Sequence, residues 1–316
     1  MHKYRADIDG LRAIAVTSVV IYHAVPSLIP SGFVGVDIFF VISGYLIGGI
    51  IYSGVQDKSF SYANFYARRA RRILPALIAV VLATLLMGYF LLAAEDLKEL
   101  TAQSISALGG FSNVYFWDNT NYFDAAAVYK PLMMTWSLGV EEQFYVVFPF
   151  IMLLVIRLKP LWRIAVILTL VVLSFVLSLL TINFDPIMAF FLLPPRAWEL
   201  GAGVALAMIH KEKWLPATKG SLENLLAVAG FAMLIASVLI YDDETSFPGL
   251  AVTLPVIGTL LLLQTENSLI NSKLLSLKPV VFVGLVSYSW YLWHWPLMSY
   301  VRNASDKSNT ETALLW

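Results

Sequence analysis

Apolar stretches about 20 residues long recur along the chain, each the length an α-helix needs to cross the hydrocarbon core of a bilayer. Nine qualify, at roughly 11 to 29, 33 to 53, 73 to 93, 136 to 156, 162 to 181, 188 to 209, 222 to 240, 248 to 264 and 280 to 300. With no water in the bilayer core, every backbone N–H and C=O must be satisfied within its own segment, which a helix does unaided. The expected fold class is therefore all-α, a polytopic membrane helical bundle of about ten transmembrane helices. A tenth span begins near residue 311 and stops at Trp316, so residues 1–316 read as one transmembrane domain, C-terminally truncated within the tenth helix. Composition agrees: 59% of the 316 residues are hydrophobic and 13% charged, where soluble domains carry about 25% charged residues. That balance excludes a soluble enzyme. Lys+Arg and Asp+Glu are equal at 21 each, so no basic excess points to nucleic acid, and zero cysteines exclude disulfides and thiolate chemistry. The N-terminus, MHKYRADIDG, is acidic ahead of an apolar run without a small-residue cleavage pattern, and is expected to stay as the first anchor.

Orientation turns on residues 101 to 117, TAQSISALGGFSNVYFW, which mix amides, hydroxyls and a glycine pair into an apolar run. With the N-terminus inside and this stretch not crossing, 16 of the 21 Lys and Arg fall on the inside. If it crossed, the last eight of these, from Arg157 to Lys278, would move outside, against the positive-inside rule. Residues 94 to 135 are therefore placed outside, in part re-entrant, where non-helical backbone at membrane depth would have to line a cavity or be buried. No internal repeat, low-complexity tract or hinge-like linker marks a domain boundary.

Ionisable residues inside spans are costly and mark sites or pathways by default. Arg12 and His23 are separated by ten residues. Eleven steps of 100° return to within about 20° of the same face, and the rise is about 16 Å. One face then carries a cation near the inner surface and an imidazole toward the outer one; the plain alternative is a snorkelling anchor and an interfacial histidine. Asp37, the pair Glu141 and Glu142, Arg196 with Glu199, and His294 bring polar groups to the outer half of four further spans. Arg196 and Glu199, at i and i+3, suit an ion pair, Asp37 suits Arg196 as a partner, and His294 in SYSWYLWHWP suits an interfacial aromatic belt. Two adjacent carboxylates inside a span invite pairing, protonation or catalysis.

On the inside, SYANFYARRARRILP sets Arg68, Arg69, Arg71 and Arg72 beside Tyr62, Phe65 and Tyr66. Guanidinium forks suit phosphate oxygens; the alternative is topological anchoring or contact with lipid head groups. An imidazole near a carboxylate can take a proton from a hydroxyl, so the set reads as general-base machinery without an obvious protein nucleophile. No nucleotide P-loop, zinc HExxH or GxSxG elbow is present.

The strings IDGLRAIAVTSVVIYH, SGFVGVDIFFVISGYLI, FYARRARRILP, TWSLGVEEQFYVVFPF, PPRAWELGAGVALA and VSYSWYLWHWPL together resemble the acyltransferase-3 family of bacterial membrane O-acyltransferases. The likeness covers the whole chain and is closest to the branch in which a periplasmic SGNH hydrolase-like domain follows, a domain expected to be missing here. It implies a multi-pass protein of the bacterial cytoplasmic (inner) membrane with a cytoplasmic N-terminus. Such a protein takes an acetyl or other short acyl group from acetyl-CoA, without a metal, to a hydroxyl of lipopolysaccharide O-antigen, peptidoglycan or exopolysaccharide. Carried over residue by residue, the family's Arg-to-His motif falls on Arg12 and His23 and its Arg-x-x-Arg motif on Arg69 and Arg72, with Arg68 beside them. The catalytic carboxylate falls on Glu141, which shares a helix face with Tyr145, before Glu142, which turns about 100° away.

The leading expectation is a membrane O-acyltransferase: Arg12, Arg69 and Arg72 hold the donor phosphates, and His23 activates the acceptor hydroxyl with Glu141. The alternatives are a transporter or flippase whose buried charges form a proton relay, though no repeat of the transporter kind is evident, and a non-catalytic partner in polysaccharide export. The placement of residues 94 to 135 is testable directly, because a cysteine-free chain takes single reporters cleanly. Lys98→Cys, Asp118→Cys and Lys130→Cys should react with a membrane-impermeant maleimide from the periplasm and Lys211→Cys should not; labelling of Asp118→Cys only after the inner membrane is opened would mean that the stretch crosses.

Overall fold

The computed structural model describes residues 4–119, 125–215, 218–242 and 245–313, with backbone alone at 125, 126 and 306–313. Among the described residues twelve α-helices follow one another: α1 Ala6–Ala24, α2 Gly35–Gln56, α3 Tyr62–Leu91, α4 Ala94–Leu108, α5 Ser112–Asn119, α6 Trp136–Val155, α7 Pro160–Phe184, α8 Pro186–Phe191, α9 Leu193–Lys211, α10 Gly220–Ile240, α11 Thr253–Gln264 and α12 Lys278–Ala313. Among the described residues there is no strand, so the class is all-α as expected. Each of the nine apolar stretches falls on a helix. Five are long and apolar enough to cross a bilayer, Gly32–Gln56, Tyr62–Leu91, Met133–Val155, Pro160–Phe184 and Gly220–Ile240, while Leu250–Gln264 is a shorter apolar helix. Charged side chains in α1 and α9, and the Ser, Tyr, Trp and His content of α12, set these three apart from the apolar five. The backbone of α12 runs on through residues 301 to 310, where a connection to the tenth span was expected, and the rest of that span lies outside the described residues.

The helix ends follow from local chemistry. Asp7 and Asp9 in the first turn of α1 complement the helix dipole. Pro160 opens α7, and the Asp185 carboxylate caps α8 by accepting from the Met188 N–H at 2.8 Å, with Pro186 in the first turn.

The chain forms two compact units, one of Met1–Ser61 with Phe144–Tyr288, the other of Tyr62–Gln143 with Ser289–Trp316. In the first unit α2 and α9 pack side by side in the same direction. Lipid offers helices no hydrophobic drive to associate, so small residues that let backbones approach become the adhesive. At Gly44 a Cβ would lie 1.9 Å from the Leu200 carbonyl oxygen. Helix α1 runs the other way against the start of α2.

In the second unit α3 and α4 form an antiparallel hairpin closed by two residues, and its strands of contact meet where Leu100 fills the space beside Gly88. The segment entering α6 then descends beside α4 in the same direction. Lys130 Nζ pairs with Glu99 at 2.6 Å, the Leu132 N–H bonds the Gln103 side-chain oxygen at 3.1 Å, and Glu142 lies against the Gly110 turn. Three contacts in matched order fix the register. Residues 94–119 are largely helical: α4 folds back along α3 for about 22 Å, with charged Glu95, Asp96 and Lys98 exposed at its start and Ile105, Leu108, Phe111 and Val114 exposed at the far end and along α5. That gradient is the one a re-entrant element needs.

The α2–α9 contact predicts a contrast. Gly44→Ala should force the backbones apart and destabilise the protein by about 1–3 kcal/mol, whereas Gly49→Ala, whose Cβ would sit 3.5 Å from that of Ala207, should be tolerated. Thermal denaturation in detergent would show it; equal melting temperatures would disprove the close-packing argument.

Candidate active site

The first unit carries one set of candidate residues. Helix α1 is uninterrupted from Ala6 to Ala24 and holds both Arg12 and His23. His23 is buried in the last turn, and Arg12 Nη1 donates to Asp9 Oδ1 at 3.1 Å, where Tyr4 also donates to the same carboxylate, to Oδ2 at 2.6 Å. At the His23 end, Tyr22 meets Phe33 edge-on at 5.3 Å and Phe33 meets Phe247 at 4.7 Å. Phe247 in turn lies 5.7 Å from the guanidinium of Arg196. An aromatic chain thus links the last turn of α1 to a buried cation.

Arg196 is 1% exposed and bonds Asp37 Oδ1 through Nη2 at 2.5 Å, while its Nε lies 3.0 Å from Glu199 Oε1. Phe40 and Phe190 cover it at 5.4 and 5.8 Å. The i, i+3 pair within α9 and the expected partner Asp37 from α2 are both present. A charge this deep is sustained only by excellent pairing, and the guanidinium face adds cation–π contacts. Two carboxylates converge on one buried guanidinium, and the one from Asp37 locks α2 to α9.

The second unit holds the other set. Glu142, two turns into α6, accepts from Arg69 Nη2 at 3.0 Å, with side chains 31% and 13% exposed respectively. This corrects the placing of Arg69 and Glu142 on opposite faces of the membrane: the descent of α6 beside α4 carries Glu142 down to the depth that Arg69 reaches from the start of α3. Arg68, Arg71 and Arg72 are exposed around Arg69. Next to Glu142, Gln143 and Asn113 form a reciprocal amide pair at 2.7 and 3.2 Å, and a Cβ at Gly139 would strike the Asn113 side chain at 2.5 Å. The tip of the α4–α5 turn is pinned there to α6.

Glu141 lies within electrostatic range of Tyr291, whose hydroxyl donates to the Met134 carbonyl at 2.9 Å and sits 2.8 Å from Ser137 Oγ. His294, a turn further along α12, is buried rather than belted at an interface, and its Nδ1 lies 2.5 Å from the Tyr291 carbonyl oxygen. Nδ1–H is the donor, which leaves Nε2 as the basic nitrogen. Tyr145, on the same helix as Glu141, is fully buried. Among the described residues no group of three His, Asp or Glu side chains gathers as a metal would require. Asn113, Gln143, Ser137 and Tyr291 escaped the sequence reading. Asn113 lay in the stretch noted for its misplaced polar residues, and Gln143 beside the two carboxylates; their polarity at membrane depth was the available signal.

Comparison with known proteins adds a family. The model described as "Acyltransferase domain" matches residues 5–316. The chain is 32% identical over 310 residues to the peptidoglycan O-acetyltransferase OatA of Listeria monocytogenes, covering 94% of this chain and 50% of that protein. It is 31% identical over 317 residues to the O-acetyltransferase OatA of Staphylococcus aureus, covering 95% of this chain and 52% of that one. The chain thus spans about half the length of these curated relatives. No solved structure matches it.

If the Arg196 cluster is a structural lock, its loss should show in stability before chemistry. Arg196→Met, which strands two buried carboxylates, should cost about 3–5 kcal/mol and abolish a monodisperse peak in size-exclusion chromatography. Asp37→Asn should cost less, and a fully stable Arg196→Met protein would refute the lock.

Proposed function

The chain belongs to the acyltransferase-3 family, and from that membership we propose that it is a membrane O-acetyltransferase, moving an acetyl group from acetyl-CoA to a glycan hydroxyl across the bacterial cytoplasmic membrane. Peptidoglycan is the first acceptor to test, because the name of the Listeria relative specifies it. The observation that carries the proposal is the single helix α1, which holds Arg12 and a buried His23 on one face with a rise of about 16 Å between them. That distance suits a long, thin acyl carrier with a charged head at one end and its reactive carbonyl at the other.

In this reading Arg69 and Arg72, helped by Arg68 and Arg12, hold the phosphates on the inner face. The fit rests on the second unit itself, where Arg69 already grips a carboxylate, an anion whose two oxygens present the same edge as a phosphate. His23, as the neutral imidazole, takes the proton of the acceptor hydroxyl while its oxygen attacks the thioester carbonyl. The C–S bond breaks as the C–O bond forms, and the proton passes to the leaving thiolate. Glu141, next to the Glu142 that pairs with Arg69, is the carboxylate at the donor end of this machinery. His23→Gln should retain expression and membrane insertion yet lower acetyl transfer by about 10²–10⁴-fold, the usual worth of a general base. Mass spectrometry of base-released acetate from purified peptidoglycan, comparing cells with native and variant protein, measures it; native acetate content in the variant would sink the assignment.

A further inference from the structure

The ion pair between Arg69 and Glu142 joins two residues 73 positions apart in sequence. One is the best-placed donor ligand of the reading above, the other a carboxylate beside the catalytic Glu141. We infer that Glu142 is a resident anion that occupies the Arg69 guanidinium when no donor is bound, and that a phosphate of the acyl-CoA displaces it. The inference rests on the donor reading and adds to it a residue that sets donor affinity.

Three features of the site support an exchange. A guanidinium presents the same planar fork to carboxylate and to phosphate, so one can replace the other without moving the helix. The contact runs from Nη2 to Oε1 at 3.0 Å, and the Glu142 side chain is about one-third exposed, so it can turn to solvent as the incoming phosphate takes its place on the 13% exposed Arg69. The backbone around Glu142 is held by the Asn113–Gln143 amide pair on one side and the Gly110 turn on the other. Exchange therefore needs only a side-chain rotation, and a released Glu142 adds its negative charge near Glu141 only when donor is present.

The test uses the full chain in phosphatidylcholine nanodiscs, titrated with coenzyme A by calorimetry. Removing the resident charge with Glu142→Gln should tighten coenzyme A binding about two- to fivefold, the worth of a partly exposed ion pair. Arg69→Ala should weaken binding, and adding Glu142→Gln to Arg69→Ala should change nothing further. Pantetheine, which lacks phosphate, should bind equally to the native protein and to Glu142→Gln. If Arg69→Ala leaves coenzyme A binding unchanged, the donor reading fails and this inference with it. If Arg69→Ala weakens binding but Glu142→Gln binds no tighter than native, the exchange alone is overturned. A gain in Glu142→Gln that appears for anionic phosphatidylglycerol nanodiscs without coenzyme A, and not for coenzyme A itself, would assign the displacing phosphate to lipid and overturn the proposal. Should Glu142→Gln fail to purify, Glu142→Asp, one methylene shorter in reach, supplies the same comparison.

Discussion

A guanidinium at 1% exposure between Asp37 and Glu199 states the constraint under which this protein is built. In a medium that solvates no charge, every ionic group must find its counter-charge on its own or a neighbouring helix, and two helices can approach closely only where side chains are small. Asp37 and Arg196 bring α2 and α9 together near their starts, and Gly44 lets them touch further along. Charge pairing chooses the partners and glycine permits the distance. The rest of the first unit arranges itself about that contact, including the aromatic chain that runs from Phe247 back to the His23 end of α1.

The second unit solves the same problem with weaker means. Its ion pairs, Arg69–Glu142 and Lys130–Glu99, are partly exposed, and neutral anchors stand beside them: an amide pair, a hydroxyl pair and a tryptophan N–H on the Lys130 carbonyl. Neutral hydrogen bonds fix a backbone without committing a charge. A carboxylate that must change partners is better housed there than beside a fully desolvated arginine.

The helices themselves were legible because crossing a bilayer demands a length and polarity that few other folds require. The Arg196 pairs were legible too, since i, i+3 spacing within α9 and the scarcity of counter-charges left Asp37 as a partner. What could not be read was depth. Charge counting assigns residues to sides of a membrane but says nothing of a segment that folds back on its neighbour, so the contact of Glu142 with Arg69 was not foreseen. The contacts that reveal the descent, Glu99 with Lys130 and Gln103 with Leu132, join segments 29 to 31 residues apart, and no local pattern announces them. Asn113 and Gln143 stayed hidden for the same reason, because an amide's use depends on what faces it.

The second unit is also divided along the chain. Its hairpin and the start of α6 are made early, but the Thr84 carbonyl receives the Tyr300 hydroxyl, 216 residues on, and the Lys130 carbonyl the Trp295 indole, 165 residues on. During synthesis these acceptors must wait in the membrane without their final partners while the remainder of the first unit emerges. The nascent α3–α4 hairpin, with four charged residues at the start of α4, is therefore the stage of biogenesis most dependent on the shelter of the insertion machinery. Helix α12, far along the chain, is the one that closes it.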